Sequence, residues 1–269
     1  PDSTTRVYAV ASGKGGVGKS SMTVNLAVAL AARGFKVGVL DADIYGHSVP
    51  GLLGSDARPT AVDDMIMPPI AHGVKLISIG HFVDGNAPVV WRGPMLHRAI
   101  QQFLGDVFWG DLDFLLMDLP PGTGDVAISV AQLVPNAELL IVTTPQNAAA
   151  EVAERAGSIS QQTRQRVAGV IENMSAMVLP DGTTMDVFGS GGGQQVAERL
   201  SVLTGGTVPL LGQIPLDPQL RVHGDDGNPI AISEPDSPAG RAVREIADHL
   251  VVRRDSLAGK SLGLGVTPK

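Results

Sequence analysis

The feature that most constrains this chain is a glycine-rich segment near its start, GKGGVGKS at residues 13–20. An apolar, β-branched run at 7–11 precedes it, and a segment at 20–33 that is apolar almost all round follows it. Glycines between a strand and a helix let consecutive backbone N–H groups converge on one anion, and the helix N-terminus adds its positive dipole end. The pattern therefore predicts a phosphate-binding loop.

Four residues of this segment, Gly13, Gly18, Lys19 and Ser20, match the nucleotide-binding pattern G-x-x-x-x-G-K-[ST]. We expect Lys19 to pair with the β- and γ-phosphates and Ser20 to bind Mg²⁺. The alternative, a glycine-rich turn with an incidental lysine, is disfavoured by the flanking strand and helix. The predicted nucleotide-binding residues of the loop are Gly13, Lys14, Gly15, Gly16, Val17, Gly18, Lys19, Ser20 and Ser21.

Short β-branched runs alternate with helical patterns along the rest of the chain. Beyond the first strand and helix, strands are predicted at 37–41, 74–79, 114–118, 138–143, 167–173 and 210–214, and helices at 95–104, 147–160 and 238–253. This alternation predicts an α/β fold, a doubly wound, mostly parallel sheet flanked by helices. The segments 55–72 and 174–193 are predicted to be irregular insertions, with a flexible glycine turn at 189–193.

The composition narrows the class of protein. Of 269 residues, 43% are apolar and only 4% aromatic, which favours a core of Val, Leu, Ile and Ala in a single domain at residues 1–256. A net charge of −7 argues against nucleic acid as a partner. Because we find neither a signal-peptide pattern nor an apolar run of about 18 residues, we expect a cytoplasmic protein without membrane attachment. Residues 257–269 are predicted to be a disordered tail, and Pro1 suggests a processed or truncated start.

Acidic side chains follow two of the predicted strands. Asp41 and Asp43 lie at the end of the second strand, and Asp118 ends the run FLLMD. Ligand-contacting loops of α/β proteins follow the carboxyl ends of the strands, where a carboxylate such as Asp118 can hold Mg²⁺ directly or through a water. A single aspartate there is often only a turn residue or a helix cap. Two such sites beside a phosphate loop favour a metal site.

The loop contains a second lysine, Lys14, that an ordinary phosphate loop does not require and that could be a solvated surface residue. The stretch KGGVGKS resembles the deviant Walker A motif of the ParA, MinD and nitrogenase iron-protein group of ATPases. That resemblance implies a homodimer in which Lys14 touches the partner subunit's nucleotide. It also implies that Lys14, Lys19 and Asp43 are catalytic.

The same resemblance assigns roles to the acidic residues. Asp43 would position the attacking water, and Asp41 would belong to the Mg²⁺ shell together with Ser20 and Asp118. Asp118 would also begin a second switch segment, whose glycines permit movement between nucleotide states. The role of Asp125 stays open between a helix cap and a contact of that segment.

Two positions late in the chain are implied to contact adenine, Asn173 by hydrogen bonds and Pro215 by packing. From the sequence alone, an asparagine at the end of a strand is most often a turn former. His47, which follows Asp43 closely, is either a contact to phosphate or partner or an ordinary surface histidine.

Several longer stretches resemble the Mrp/ApbC family of iron–sulfur cluster carriers, and actinobacterial members most closely. They occur in the family's order from about residue 6 to residue 216, as LDADIYGHSVP, WRGPM, DLPPGTGD, TPQNAAAEVAERA, GVIENMS and LLGQIPLD. Many members carry an additional small N-terminal domain. The resemblance implies ATP, Mg²⁺ and an iron–sulfur cluster as ligands, and iron–sulfur apoproteins as clients.

One departure from the family pattern concerns the cluster itself. Family members hold it with a C-x-x-C pair, but this chain has no cysteine, and Leu179 and Gly182 stand about where the pair would be. Iron–sulfur clusters require thiolate ligands, and Asp181 alone is no substitute. The alternative for this segment is an apolar patch at a dimer interface, formed by Met174, Met177, Val178 and Leu179.

Three functions are compatible with these observations to different degrees. The first is a homodimeric, Mg²⁺-dependent ATPase of the Mrp family in iron–sulfur protein maturation. The second is a nucleotide-driven switch of the MinD or ParA kind that binds no cluster. The third, an ATP-dependent enzyme acting on a small molecule, lacks a recognisable second substrate site.

Overall fold

A computed structural model describes residues 4–43, 46, 48–82, 93–122, 125–146 and 149–252, without the side chain of residue 125. The strands in this part of the chain are β1 (Arg6–Ser12), β2 (Val37–Asp41), β3 (Thr60–Val62), β4 (Met65–Met67), β5 (Ile70–Ala71), β6 (Val74–Ser78), β7 (Phe114–Asp118), β8 (Glu138–Thr143), β9 (Val167–Ser175), β10 (Met177–Val178), β11 (Thr184–Met185) and β12 (Leu210–Pro215).

The α-helices in the same part of the chain lie between and after these strands. They are α1 (Lys19–Ala32), α2 (Val49–Leu52), α3 (Gly93–Gly105), α4 (Asp125–Leu133), α5 (Ala149–Thr163), α6 (Gly192–Thr204), α7 (Pro218–Asp225), α8 (Ile230–Ser233) and α9 (Pro238–Val251), with a short 3₁₀ helix at Ile79–Phe82.

Eight strands form one sheet in the order β12-β9-β8-β1-β7-β2-β6-β5, in which every neighbouring pair is parallel except β5 and β6. Strands β2 and β7 are buried along their whole length. Apolar side chains of α3, α4, α5 and α6 cover one face, and those of α1, α2, α8 and α9 cover the other. The predicted doubly wound α/β fold is confirmed.

The strand register brings the predicted acidic residues together. Asp118, at the end of β7, is paired with Val10 of β1 on one side and with Asp41 of β2 on the other. The glycine-rich loop continues from β1 at the same edge of the sheet. Because parallel strands end at a common edge, this register creates a single site from residues that are far apart in the sequence.

Seven of the eight strands of the sheet were predicted to within two residues at each end, whereas β5 and the connecting segments were predicted poorly. Residues 55–72 contain the β3–β4 hairpin and β5, and residues 174–193 contain the β10–β11 hairpin. Helices α2, α4, α6, α7 and α8 were not predicted; all except α6 are nine residues long or shorter, and α6 begins within glycines. Three predicted features lie outside the described residues: the start of the helix 147–160, the end of the helix 238–253 and the tail at 257–269.

The glycines at 189–193 do not form a flexible turn, contrary to the prediction. Helix α6 begins within them, with Gly191 at the N-cap in the left-handed conformation. A Cβ atom on Gly192 would lie 2.6 Å from the carbonyl oxygen of Pro145, and one on Gly193 would lie 2.7 Å from Cβ of Glu172. Small residues are needed here because the helix start packs directly against backbone and strand.

Candidate nucleotide-binding site

The glycine-rich loop ends at the start of a helix. Helix α1 begins at Lys19, and its N-cap residue Gly18 has a φ of 79° and provides no side-chain cap. A Cβ atom on Gly18 would lie only 2.3 Å from Nδ2 of Asn173, so a side chain fits neither the conformation nor the space. The first N–H groups of α1, which have no intrahelical acceptor, and the dipole of the helix make this end suitable for phosphate.

Lys19 lies at the centre of the site and is only 6% exposed. Its ammonium group is 2.8 Å from Oδ1 of Asp118 and 3.6 Å from Oδ2 of Asp43. Both carboxylates therefore neutralise a lysine that is held at the start of α1, where phosphate would bind. An ammonium in this position can exchange its carboxylate partners for phosphate oxygens.

Asp118 is completely buried and accepts hydrogen bonds at both carboxylate oxygens. Ser20 Oγ donates to Oδ2 at 2.5 Å, and Thr23 Oγ1 donates to Oδ1 at 2.9 Å. Burial raises the pKa of Asp118, although Lys19 and these hydroxyl donors oppose the shift. Ser20 and Asp118 are therefore neighbours in the structure, and their place in a Mg²⁺ shell stays a prediction.

Asp41 faces the same cluster from β2. Its carboxylate accepts hydrogen bonds from Ser78 Oγ at 2.9 Å and from the backbone N–H of Asp43 at 3.1 Å. Burial raises the pKa of Asp41 to about 7, and the neighbouring charge of Asp118 adds to the shift. A bound cation would favour the ionised forms of Asp41 and Asp118, which burial otherwise disfavours.

The oxygen-rich chemistry of this cluster fits magnesium. Hard cations such as Mg²⁺ take one or two carboxylates from the protein and complete their shell with phosphates and water. Among the described residues, no group of three or more His, Cys, Asp or Glu side chains could hold a metal ion without further ligands. Asp118, Ser20 and Asp41 are therefore suited to a metal that arrives with a phosphate ligand.

Lys14 points away from this cluster. Its Nζ donates to Oε1 of Gln146 at 2.6 Å, on the surface after β8. The backbone of the same half of the loop is held from α5, where Nη1 of Arg155 donates to the carbonyl oxygen of Gly13 at 2.6 Å. Lys14 and Lys19, five residues apart, therefore have different surroundings.

A cavity of about 410 Å³ extends from the phosphate loop along the ends of β9 and β12. Gly18, Ser21, Asn173 and Pro215 line one part of it, and side chains of α7 line another. The lining is mainly apolar, as expected for a flat aromatic ligand. Two residues predicted to contact a base therefore share a cavity with the phosphate loop.

Asn173 is not a turn former, since it lies within β9. Its Nδ2 donates to the carbonyl oxygen of Val17 at 2.9 Å, which joins the strand to the phosphate loop. Its Oδ1 is buried and has no hydrogen-bond partner among the described residues. A buried amide oxygen without a donor is costly, so a ligand that supplies an N–H group would satisfy it.

The next residue, Met174, adopts a φ of 57°, which is unusual for a side chain of this size. Met174 and Met177 line the cavity, whereas Val178 is 43% exposed. The predicted apolar patch of Met174, Met177, Val178 and Leu179 at a dimer interface stays a prediction.

Leu179 and Gly182 form the ends of a tight turn between β10 and β11. The N–H of Gly182 donates to the carbonyl oxygen of Leu179 at 2.9 Å, and Gly182 has a φ of 84°. Much of the hairpin is exposed, and no residue of the chain is a cysteine. These positions do not provide the thiolates that an iron–sulfur cluster needs.

Sequence reasoning missed several residues that support the site. Thr23, Ser78, Gln146 and Arg155 each hold a predicted residue in place through one hydrogen bond. Thr23 could have been found, because it lies one helical turn after Lys19 and faces the same way. The structure does not describe His47 or the side chain of Asp125, so their predicted roles lie outside the described residues.

Taken together, the left-handed glycine before α1, the buried lysine and the strand-end carboxylates define a nucleotide-binding P-loop NTPase fold. The chain belongs to the NUBPL iron-transfer P-loop NTPase family, whose model matches residues 3–251. The resemblance to Mrp/ApbC proteins is thereby confirmed.

Related proteins carry a common name. The chain is 71% identical over 267 residues to an iron–sulfur cluster carrier protein of Mycobacterium bovis, covering 99% of this chain and 70% of the relative. It is 50% identical over 247 residues to a protein of the same name in Deinococcus radiodurans, covering 91% of this chain and 68% of the relative.

Similar structures include proteins with bound nucleotide. A nucleotide-binding protein of Archaeoglobus fulgidus in complex with ADP is similar to this chain with a TM-score of 0.72 and 37% sequence identity. The match covers 86% of this chain and 89% of the Archaeoglobus chain. The septum site-determining protein MinD of Pyrococcus horikoshii, complexed with Mg-ADP, has a TM-score of 0.66 and 24% sequence identity. This match covers 95% of this chain and 98% of the Pyrococcus chain. The second likeness concerns the fold alone.

None of the helices in the described part of this chain is long and apolar enough to cross a membrane.

Proposed function

We propose that this chain is a Mg²⁺-dependent ATPase that works as a homodimer in iron–sulfur protein maturation. The observation that carries the proposal is the buried Lys19, paired with Asp118 and Asp43 at the start of α1. A positive charge enclosed by two carboxylates next to free helix N–H groups is well placed to accept a polyphosphate.

Nucleotide binding would rearrange these charges. Lys19 would move from Asp118 to the β- and γ-phosphates, and Ser20, Asp41 and Asp118 would hold Mg²⁺ directly or through water. The metal would neutralise charge on the phosphates. Asp43, which is buried and already near Lys19, would orient the attacking water.

Adenine would occupy the cavity beside Asn173 and Pro215. The unpaired Oδ1 of Asn173 would accept a hydrogen bond from the adenine amino group, while Pro215 and Met174 would pack against the ring. Guanine presents a carbonyl at the corresponding position, which would face another acceptor. This contrast would favour ATP over GTP.

The proposed role of Lys14 distinguishes a dimer-dependent ATPase from a solitary one. We expect Lys14→Ala to abolish Mg²⁺-dependent ATP hydrolysis and to leave ATP affinity, measured by calorimetry, nearly unchanged. Lys36→Ala, at an exposed lysine after α1, is the matched control and should hydrolyse ATP normally. Unchanged turnover in Lys14→Ala would remove Lys14 from the mechanism.

A second function is favoured by the absence of cysteine from the chain. A nucleotide-driven switch that regulates a partner, without carrying a cluster, would use the same site and the same dimer. Cosedimentation of the protein with DNA or liposomes in the presence of ATP would support this second function. A cytoplasmic protein that serves iron–sulfur apoproteins would sediment with neither.

A further inference from the structure

The backbone around Lys14 is fixed, so a change in the position of this lysine must come from its side chain. Ser12 Oγ donates to the carbonyl oxygen of Lys14 at 2.9 Å, and Arg155 holds the carbonyl oxygen of Gly13. A Cβ atom on Gly13 would lie 3.0 Å from Cα of Val152, so the loop packs closely against α5.

The side chain of Lys14 is held much less firmly than that of Lys19. Its described partner is the neutral amide of Gln146, and the contact is exposed to solvent. Lys19, by contrast, is buried between two carboxylates. An exposed hydrogen bond to a neutral acceptor contributes little net free energy and can be exchanged at low cost.

We propose that Gln146 is a positioning residue that holds Lys14 on its own subunit and releases it when two subunits meet around nucleotide. This inference rests on the proposed function, in which Lys14 acts on the partner subunit's nucleotide. The same ammonium group cannot remain 2.6 Å from Gln146 and also cross the interface, so each subunit gives up one such contact on dimerisation. Gln146 therefore opposes dimerisation and sets the nucleotide concentration at which dimers form.

Two substitutions at this position have opposite expected effects. Gln146→Ala removes the contact and should strengthen the dimer, whereas Gln146→Glu replaces the amide with a carboxylate and should weaken it. An exposed contact of this kind is worth on the order of a three-fold change per subunit, hence about ten-fold in the dissociation constant of a symmetric dimer. A purely structural role would not give opposite signs.

The test is sedimentation equilibrium of the full chain with Mg²⁺ and a non-hydrolysable ATP analogue. Gln146→Ala should lower the dissociation constant of the dimer, Gln146→Glu should raise it, and the control Gln162→Ala, at an exposed glutamine of α5, should leave it unchanged. Weakening by Gln146→Ala would show that Gln146 supports the dimer. That result, or no change in either variant, overturns the proposal.

Turnover of Lys14→Ala separates the two hypotheses. If Lys14→Ala hydrolyses ATP like the unchanged chain, the proposed dimer mechanism fails, and the role of Gln146 fails with it. If Lys14→Ala is inactive while both Gln146 variants change the dimer in the same direction or not at all, only the inference about Gln146 fails.

Discussion

The phosphate-loop site and the β10–β11 hairpin lie near each other, but they differ in burial and in the ligands that their side chains can offer. In the first, Lys19, Asp41 and Asp118 are buried and each has defined partners. The hairpin is largely exposed, is held by a ladder of two residue pairs, and contains no thiolate. The nucleotide machinery is therefore supplied by this chain, while ligands for a cluster are not.

That difference concerns two separate properties, the binding of a nucleotide and the binding of an iron–sulfur cluster. Proteins called iron–sulfur cluster carriers share most of this sequence, and their name describes a cargo. The residues that form the nucleotide-binding site of this chain include no ligand for a cluster. If the two regions are as unequal as their structures indicate, substitutions in the phosphate loop should impair nucleotide binding, and the hairpin should bind no cluster.

The largest effect is expected at Lys19. Lys19→Ala should weaken binding of Mg²⁺-ATP by about a thousand-fold, because a charge-assisted contact to the phosphates is lost within a buried site. Isothermal titration calorimetry measures the affinity, and circular dichroism confirms that the variant is folded. The control Lys36→Ala should bind like the unchanged chain. An affinity of Lys19→Ala within about ten-fold of the unchanged chain would contradict the assigned role.

The β10–β11 hairpin should bind no iron–sulfur cluster, whereas the phosphate loop should bind ATP. Anaerobic reconstitution with iron and sulfide, followed by desalting and absorbance spectroscopy, should leave no stoichiometric iron–sulfur cluster on the protein, since no thiolate is available. The same sample should still bind ATP. A stable cluster of fixed stoichiometry would show that other residues, or an unrecognised arrangement of subunits, provide the ligands.

The buried carboxyl of Asp41 should make the nucleotide-free protein sensitive to pH. Its pKa of about 7 in the folded state lies above the value of 3.8 for an unperturbed group, so the folded state keeps a proton that the unfolded state releases. The contribution of Asp41 to folding stability should therefore fall by on the order of 3 kcal/mol as pH rises from about 4 to about 7, and then level off.

Urea unfolding of Asp41→Asn across this pH range measures the contribution of Asp41. Its stability relative to the unchanged chain should increase as pH rises, whereas the control Asp106→Asn, at an exposed aspartate after α3, should follow the unchanged chain. Parallel pH profiles for Asp41→Asn and the unchanged chain would contradict the raised pKa.

A smaller effect is expected for base recognition. The unchanged chain should bind ATP about ten-fold more tightly than GTP, because Asn173 Oδ1 is an acceptor that adenine can satisfy. Asn173→Ala should reduce this ratio, as measured by competition with a fluorescent nucleotide. Equal affinities for the two nucleotides in the unchanged chain would assign the cavity another role.

The sequence alone predicted much of the fold and the centre of the site. Alternating strands and helices specify a doubly wound sheet, and a parallel sheet places Asp41 and Asp118 at the same edge whatever the connecting loops do. The contact between Lys14 and Gln146 spans 132 residues of sequence and leaves no local signal. Likewise, Gly192 and Gly193 begin a packed helix because of tertiary contacts that no periodic pattern reveals.

The central claim is that Lys14 serves the partner subunit's nucleotide while Asp43 serves its own, and mixing two inactive variants tests it most directly. Lys14→Ala and Asp43→Ala should each be inactive in ATP hydrolysis. Mixed in equal amounts they should recover about a quarter of the normal turnover, because half the dimers are mixed and each has one intact site. A mixture that stays inactive, although both variants bind ATP and dimerise, would contradict the account.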